Sequence, residues 1–120
     1  MSVPHTANEV GLQLAKLARD RDKAKESANH AELDEVEARE AFKVAEAKAL
    51  LRAEGGTADQ RRAQATLDTH EERLRAESCT AISKGWGREI RTIQARIDIG
   101  RTLASGIRAE AQLAPYGGGA

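Results

Sequence analysis

From Trp86 onward the apolar and small residues of this chain recur in alternating steps of four and three: Trp86, Ile90, Ile93, Ile97, Gly100, Ala104, Ile107, Ala111 and Ala114. Such a heptad seam is the pattern of one helix packed along another. The first half keeps the same alternation through Val10, Leu14, Leu17, Arg21, Ala24, Ala28, Ala31, Glu35, Ala38, Phe42, Ala45 and Ala49, with Arg21 and Glu35 as polar interruptions. Between the two stretches the rhythm changes. Leu67, His70, Leu74, Ser78, Ile82 and Trp86 stand three and then repeatedly four apart, which reads as a stutter that locally unwinds a coiled coil. Gly85-Trp86-Gly87 closes it and predicts a bend in a continuing helix, a third helix starting near Ser83 being the alternative.

Punctuation sets the ends of the elements. The only prolines are Pro4 and Pro115, and they bracket a helical body. Thr6 with Glu9, and Thr57 with Gln60, have the spacing of capping boxes. Glu54-Gly55-Gly56-Thr57 supplies a turn in which two glycines take positive φ. The predicted fold is all-α: a single domain over 1–120 made of two long helices in an antiparallel coiled-coil hairpin. The helices run from about residue 7 to 53 and from about 58 to 114, or roughly 70 and 85 Å at 1.5 Å per residue. A turn at 54–57 joins them and a flexible tail follows at 115–120.

Folding back about Gly55-Gly56 pairs residues whose numbers add to about 111. Ala24 and Ala28 then lie opposite Trp86 and Ile82, Leu17 opposite Ile93 or Gln94, and Leu14 opposite Ile97, so that small residues face large ones. Residues beyond about Ala104 find no partner in the first helix. Leu12, Leu33, Val36, Val44, Leu50, Ile99 and Leu103 also fall off the seams. Self-association or docking on a larger partner buries such residues. A homo-oligomer is therefore expected, with Ile99, Leu103, Ile107, Leu113 and Tyr116 as the association surface.

Composition agrees with long helices rather than a compact globule. Of 120 residues 40% are hydrophobic, yet 23 of those 48 are Ala and only 2% of the chain is aromatic. Little bulk is left to offset chain entropy in a globular core, and Phe42, Trp86 and Tyr116 are its only rings. No run approaches the roughly 20 apolar residues of a membrane span, so no membrane partner is expected. The N-terminus lacks the basic start and apolar stretch of a secretory signal. Cys79 is the only cysteine, which excludes an intrachain disulfide and points to a reducing, cytoplasmic compartment.

Candidate chemistry is sparse, and no enzyme, metal or cofactor is expected. His5, His30 and His70 form no His-x-x-x-His or Glu-x-x-His pair on a helical face, and a surface histidine is the plainer reading of each. His70, at a seam position near Phe42, carries the alternative of a half-buried pH-sensitive contact. Cys79 has no neighbouring base to activate it. The carboxylates Glu32, Asp34, Glu35, Glu37, Glu40 and Glu46 read as a solvated face, because a carboxylate-bridged metal centre also needs Glu-x-x-His pairs. Gly55-Gly56-Thr57 lacks the strand and the Lys of a phosphate loop.

Charge carries more. The chain holds 19 Lys and Arg against 19 Asp and Glu, but the cancellation is uneven. Lys84, Arg88, Arg91, Arg96, Arg101 and Arg108 face only Glu89 and Asp98 between residues 82 and 108, a balance of plus four. Residues 30–54 hold four bases against seven acids. The six basic residues are candidate contacts, either to acids of a neighbouring helix, which fixes register, or to nucleic-acid phosphates. Aromatics that would stack bases are not interleaved among them, which favours the protein contact.

The run Ala47-Lys48-Ala49-Leu50-Leu51-Arg52-Ala53-Glu54-Gly55-Gly56-Thr57, then Arg61-Arg62-Ala63, and the closing Arg96-Ile97-Asp98-Ile99-Gly100-Arg101-Thr102-Leu103-Ala104 with Arg108-Ala109-Glu110, resembles small helical proteins of bacteriophages that infect high-GC actinobacterial hosts. The likeness covers roughly residues 35 to 114. It implies a host-cytoplasm setting among replication and recombination functions, and it brings no catalytic residues. The expected function is a self-associating, non-enzymatic helical interaction protein, a phage accessory factor or inhibitor acting on a protein partner. A nucleic-acid-binding accessory of phage recombination or replication is the alternative.

Overall fold

The computed structural model describes residues 6–117, with side chains for residues 6–113. The described chain is all-helical: α1 (Ala7–Arg52), α2 (Ala58–Asp68) and α3 (His70–Gly117). Thr6 Oγ1 accepts from the Glu9 amide at 3.1 Å and opens α1. The turn after α1 uses positive φ at both Gly55 (73°) and Gly56 (72°), a region where a side chain would be strained. Thr57 then caps α2 reciprocally: its Oγ1 accepts from the Gln60 amide at 3.2 Å, and Gln60 Oε1 accepts from the Thr57 amide at 2.9 Å. A Cβ at Gly56 would collide with that same Gln60 oxygen, so turn and cap depend on one another.

Two expectations about the second helix change. A break falls at Thr69, where ψ opens to 20°; the Thr69 hydroxyl donates to the Ala65 carbonyl at 2.7 Å, while Arg73 N donates back to the Thr69 carbonyl at 3.1 Å. Helical bonding thus carries on across it, and the break is a local opening rather than a turn. Gly85-Trp86-Gly87 causes none, and α3 runs through it. Pro115 lies inside α3, which runs to Gly117, rather than beyond its end. Of the expected tail, residues 118–120 fall outside the described part.

The stutter is also replaced. The buried and half-buried positions from Ala65 to Ile107 include Ala65, Thr69, Glu72, Ala76, Cys79, Ser83, Trp86, Ile90, Ile93, Ile97, Gly100, Ala104 and Ile107, an unbroken alternation of four and three, with Arg73, Thr80, Gly85, Gly87, Gln94 and Leu103 half-buried beside them. Leu67, Leu74 and Ile82, taken from the sequence as seam residues, are 72%, 47% and 56% exposed. His70 is exposed as well, with Nδ1 3.0 Å from Arg73 Nη2, so the half-buried pH-sensitive contact is withdrawn. In α1, by contrast, all twelve expected seam positions are buried or half-buried.

Packing divides into two compact units, one of residues 1–26 with 88–120 and the other Ser27–Gly87. In the first, Val10, Leu17, Ala24, Ile93 and Ile97 are buried. A Cβ on Gly100 would lie 2.7 Å from Leu14 Cδ2, and Arg21 Nη1 donates to Gln94 Oε1 at 3.0 Å. In the second unit the buried residues are Ala28, Ala31, Ala38, Ala49, Ala65, Thr69 and Ala76. Its core is built almost wholly of alanine, which buries little area per residue but lets helix backbones approach closely.

These contacts move the pairing register. Leu14 with Gly100 and Arg21 with Gln94 add to 114 and 115 rather than 111, and Ala7, Gly11 and Leu14 share a groove with Arg101, Ala104, Ser105 and Arg108. Partners therefore reach about one helical turn further along α3 than expected, to Arg108.

Candidate interaction surface

Polar groups at the seam come first, because they decide what is left facing outward. Arg21 occupies a seam position half-buried and hands its hydrogen bond to Gln94, whose Nε2 donates on to Asp98 Oδ1 at 3.0 Å. Its Nε is buried with no hydrogen-bond partner among the described residues, a cost that an apolar residue would not carry. Glu35, the other interruption, forms an ion pair of 3.6 Å with Arg39 one turn along the same helix. Arg39 also donates from Nη2 and Nε to Thr80 Oγ1 at 2.9 and 3.2 Å. Arg21 is thereby tied directly to the facing helix, and Glu35 through Arg39 of its own helix, each within its own unit.

The six basic candidates, Lys84, Arg88, Arg91, Arg96, Arg101 and Arg108, are all exposed. Counted against the seam of α3 they do not form one stripe. Lys84, Arg88 and Arg91 point away from it, Arg96 sits on one flank, and Arg101 and Arg108 sit on the other flank. Arg101 and Arg108 line the groove beside Ala7, Gly11 and Leu14, and Arg108 donates to Ser105 Oγ at 3.3 Å. Of the acidic set, Glu35 is half-buried at the seam, whereas Glu32, Asp34, Glu37, Glu40 and Glu46 are exposed.

The expected association surface is assembled in part. Ile99, Leu103 and Ile107 line one shallow groove of α3 with Gly106, Thr102, Asp98 and Glu110. Ile99 is 68% and Leu113 69% exposed, while the Tyr116 side chain lies outside the described ones. A larger apolar surface lies on α1. Leu33, Val36, Val44, Leu50 and Leu51 are all exposed, and Val36, Ala41, Val44 and Ala45 line a groove bordered by Glu37, Glu40, Lys48, Arg52 and Glu72. Sequence reasoning marked most of these as off the seam without assembling them. The signal was that each falls between the seam positions of α1, on the outward side of that helix.

No protein-family model, curated protein or solved structure matches this chain. The surface must therefore be read from its own chemistry.

A further cleft holds Cys79 beside Ser27, His30, Ala31, Asp34, Ile82 and Trp86. Among the described residues no three His, Cys, Asp or Glu side chains converge to hold a metal ion, and no helix is long and apolar enough to cross a membrane. What the molecule offers most plainly is two-sided helices: one side closes the seam and the other presents apolar side chains between charges.

Proposed function

We propose that this protein is a non-enzymatic helical interaction module, an antiparallel coiled-coil hairpin that self-associates and acts by protein–protein contact. The observation that carries this reading is the exposed apolar stripe on α1, where Leu33 is 68%, Val36 66% and Leu51 87% exposed. Exposed bulk of that kind, gathered along one helix side and rimmed by charge, is the composition of a helix-docking surface. The hairpin part of the reading is supported by contacts whose numbers rise along α1 as they fall along α3, Leu14 at Gly100 and Arg21 at Gln94. In the setting that the sequence resemblance implies, such a module serves as a phage accessory factor or inhibitor.

Nucleic-acid binding through Lys84, Arg88, Arg91, Arg96, Arg101 and Arg108 is less favoured, since those residues are distributed around α3 instead of lining one track for a phosphate backbone. Sedimentation and DNA retention on the same preparation separate the readings. Concentration-dependent association that survives about 0.5 M salt, with no retention of duplex or single-stranded DNA at low salt, is the expected outcome. A folded monomer whose DNA binding falls steeply with salt would reverse the order of the two readings.

A further inference from the structure

The stripe on α1 has an internal charge order that says what covers it. Within the Ser27–Gly87 unit, heptad counting from the seam residues Ala28, Ala31, Glu35, Ala38, Phe42, Ala45 and Ala49 leaves eleven outward positions from Asn29 to Leu51. Five of them are Leu33, Val36, Val44, Leu50 and Leu51. The matching outward positions from Leu67 to Lys84 include only two large apolar residues, Leu67 and Leu74. The outer side of α1 is therefore the apolar side of this unit.

Along that side the charge inverts. At its outward and flanking positions there are four carboxylates from Glu32 to Glu40 (Glu32, Asp34, Glu37, Glu40) against Arg39; from Lys43 to Leu51 there are two bases (Lys43, Lys48) against Glu46. We infer that a second copy of this chain covers the stripe, α1 against α1 in opposite directions about a two-fold axis level with Phe42. This inference rests on the interaction-module reading and names its partner and surface. A stripe negative at one end and positive at the other is complementary to itself only when reversed. In that arrangement Glu37 comes beside Lys48 of the second copy, and Glu40 beside Lys43. Leu33 meets Leu51 at each end, and Val36, Val44 and Ala47 fill the middle. Parallel pairing would instead set acid on acid and base on base. The contact covers about 27 Å of helix from Leu33 to Leu51, and two-fold symmetry closes it after two copies.

Disulfide trapping tests the pairing, in full-length chains carrying Cys79→Ser so that the introduced thiols are the only ones. One chain carries Leu33→Cys and another Leu51→Cys. Under mild oxidation the mixture is expected to yield a covalent dimer, and each chain alone to stay unlinked. In sedimentation, Glu37→Lys with Glu40→Lys, and separately Lys43→Glu with Lys48→Glu, are expected to weaken the dimer by about tenfold or more, and mixing the two charge variants to restore it. Circular dichroism of each variant establishes that the helices are retained. A wild-type dimer in which the like chains link, or in which none do, overturns the α1 pairing while leaving self-association in place. A wild-type monomer at about 100 μM overturns the pairing and self-association together.

Discussion

Gly100 marks a close approach in its unit: any Cβ there would press on Leu14 Cδ2 at 2.7 Å. A methyl group could be met by a shift of that flexible end, but a branched chain could not. Gly106 is also within α3, and a Cβ there would meet nothing within 4 Å. The two glycines should consequently respond in opposite directions. Gly100→Leu is expected to lower stability by about 1–3 kcal/mol through overpacking, and Gly106→Ala to raise it by about 0.5–1 kcal/mol through helix propensity. Urea unfolding midpoints at fixed protein concentration check both, and a loss of stability in Gly106→Ala would mean that this glycine is covered in solution. Both were legible in the sequence as helix interior, but not their difference, because a close approach is a property of two chain segments.

At the scale of elements the informative case is the seam through α2 and the start of α3. Hydrophobicity alone chooses Leu67, Leu74 and Ile82, and doing so manufactures a stutter. The folded register chooses Ala65, Thr69, Glu72, Ala76, Cys79 and Ser83 instead. The reason is steric: α1 presents Ala28, Ala31, Ala38 and Ala49 as its buried residues in this unit, and two backbones brought close by alanines leave no room between them for leucine. Leu74→Gln should thus change stability by no more than about 0.5 kcal/mol. Ala76→Gln, at a position 5% exposed, should cost about 1–3 kcal/mol by overpacking and burial of an amide. Thermal unfolding of the two variants decides the register, and the opposite ranking would restore the stutter. In α1 the problem does not arise, since Val10, Leu14 and Leu17 set the phase before the alanines begin and the rhythm then never changes.

For the whole molecule, the two units differ in what holds them. One buries Val10, Leu17, Ile93 and Ile97, whereas Ser27–Gly87 buries six alanines and a threonine. Alanine burial yields much less hydrophobic free energy than leucine or isoleucine burial, and the alanine-cored unit is also the one that leaves the α1 stripe open. It therefore stands to gain most from association. Amide hydrogen exchange in Ser27–Gly87 is expected to slow as protein concentration rises tenfold, by up to about the 1.4 kcal/mol that mass action supplies. Exchange around Leu17 and Ile93 should change less. Uniform slowing, or none, would show that the stripe is not where the copies meet.

The sequence by itself determined the helical class, the phase of α1, the glycine turn and both N-terminal caps. Each of these depends on residues within a few positions of one another, on propensity, on φ and on side-chain reach to a nearby amide. It also showed that acid and base are separated along the chain. Only the tertiary structure decided the register of the facing helices, the place of the break at Thr69, and which side of α2 and α3 is buried. Those depend on how near the backbones come, and in an alanine-lined seam that distance is set by the smallest residues, the ones hydrophobic periodicity weighs least. The outward stripe of α1 became visible as a surface once that inner side had been assigned.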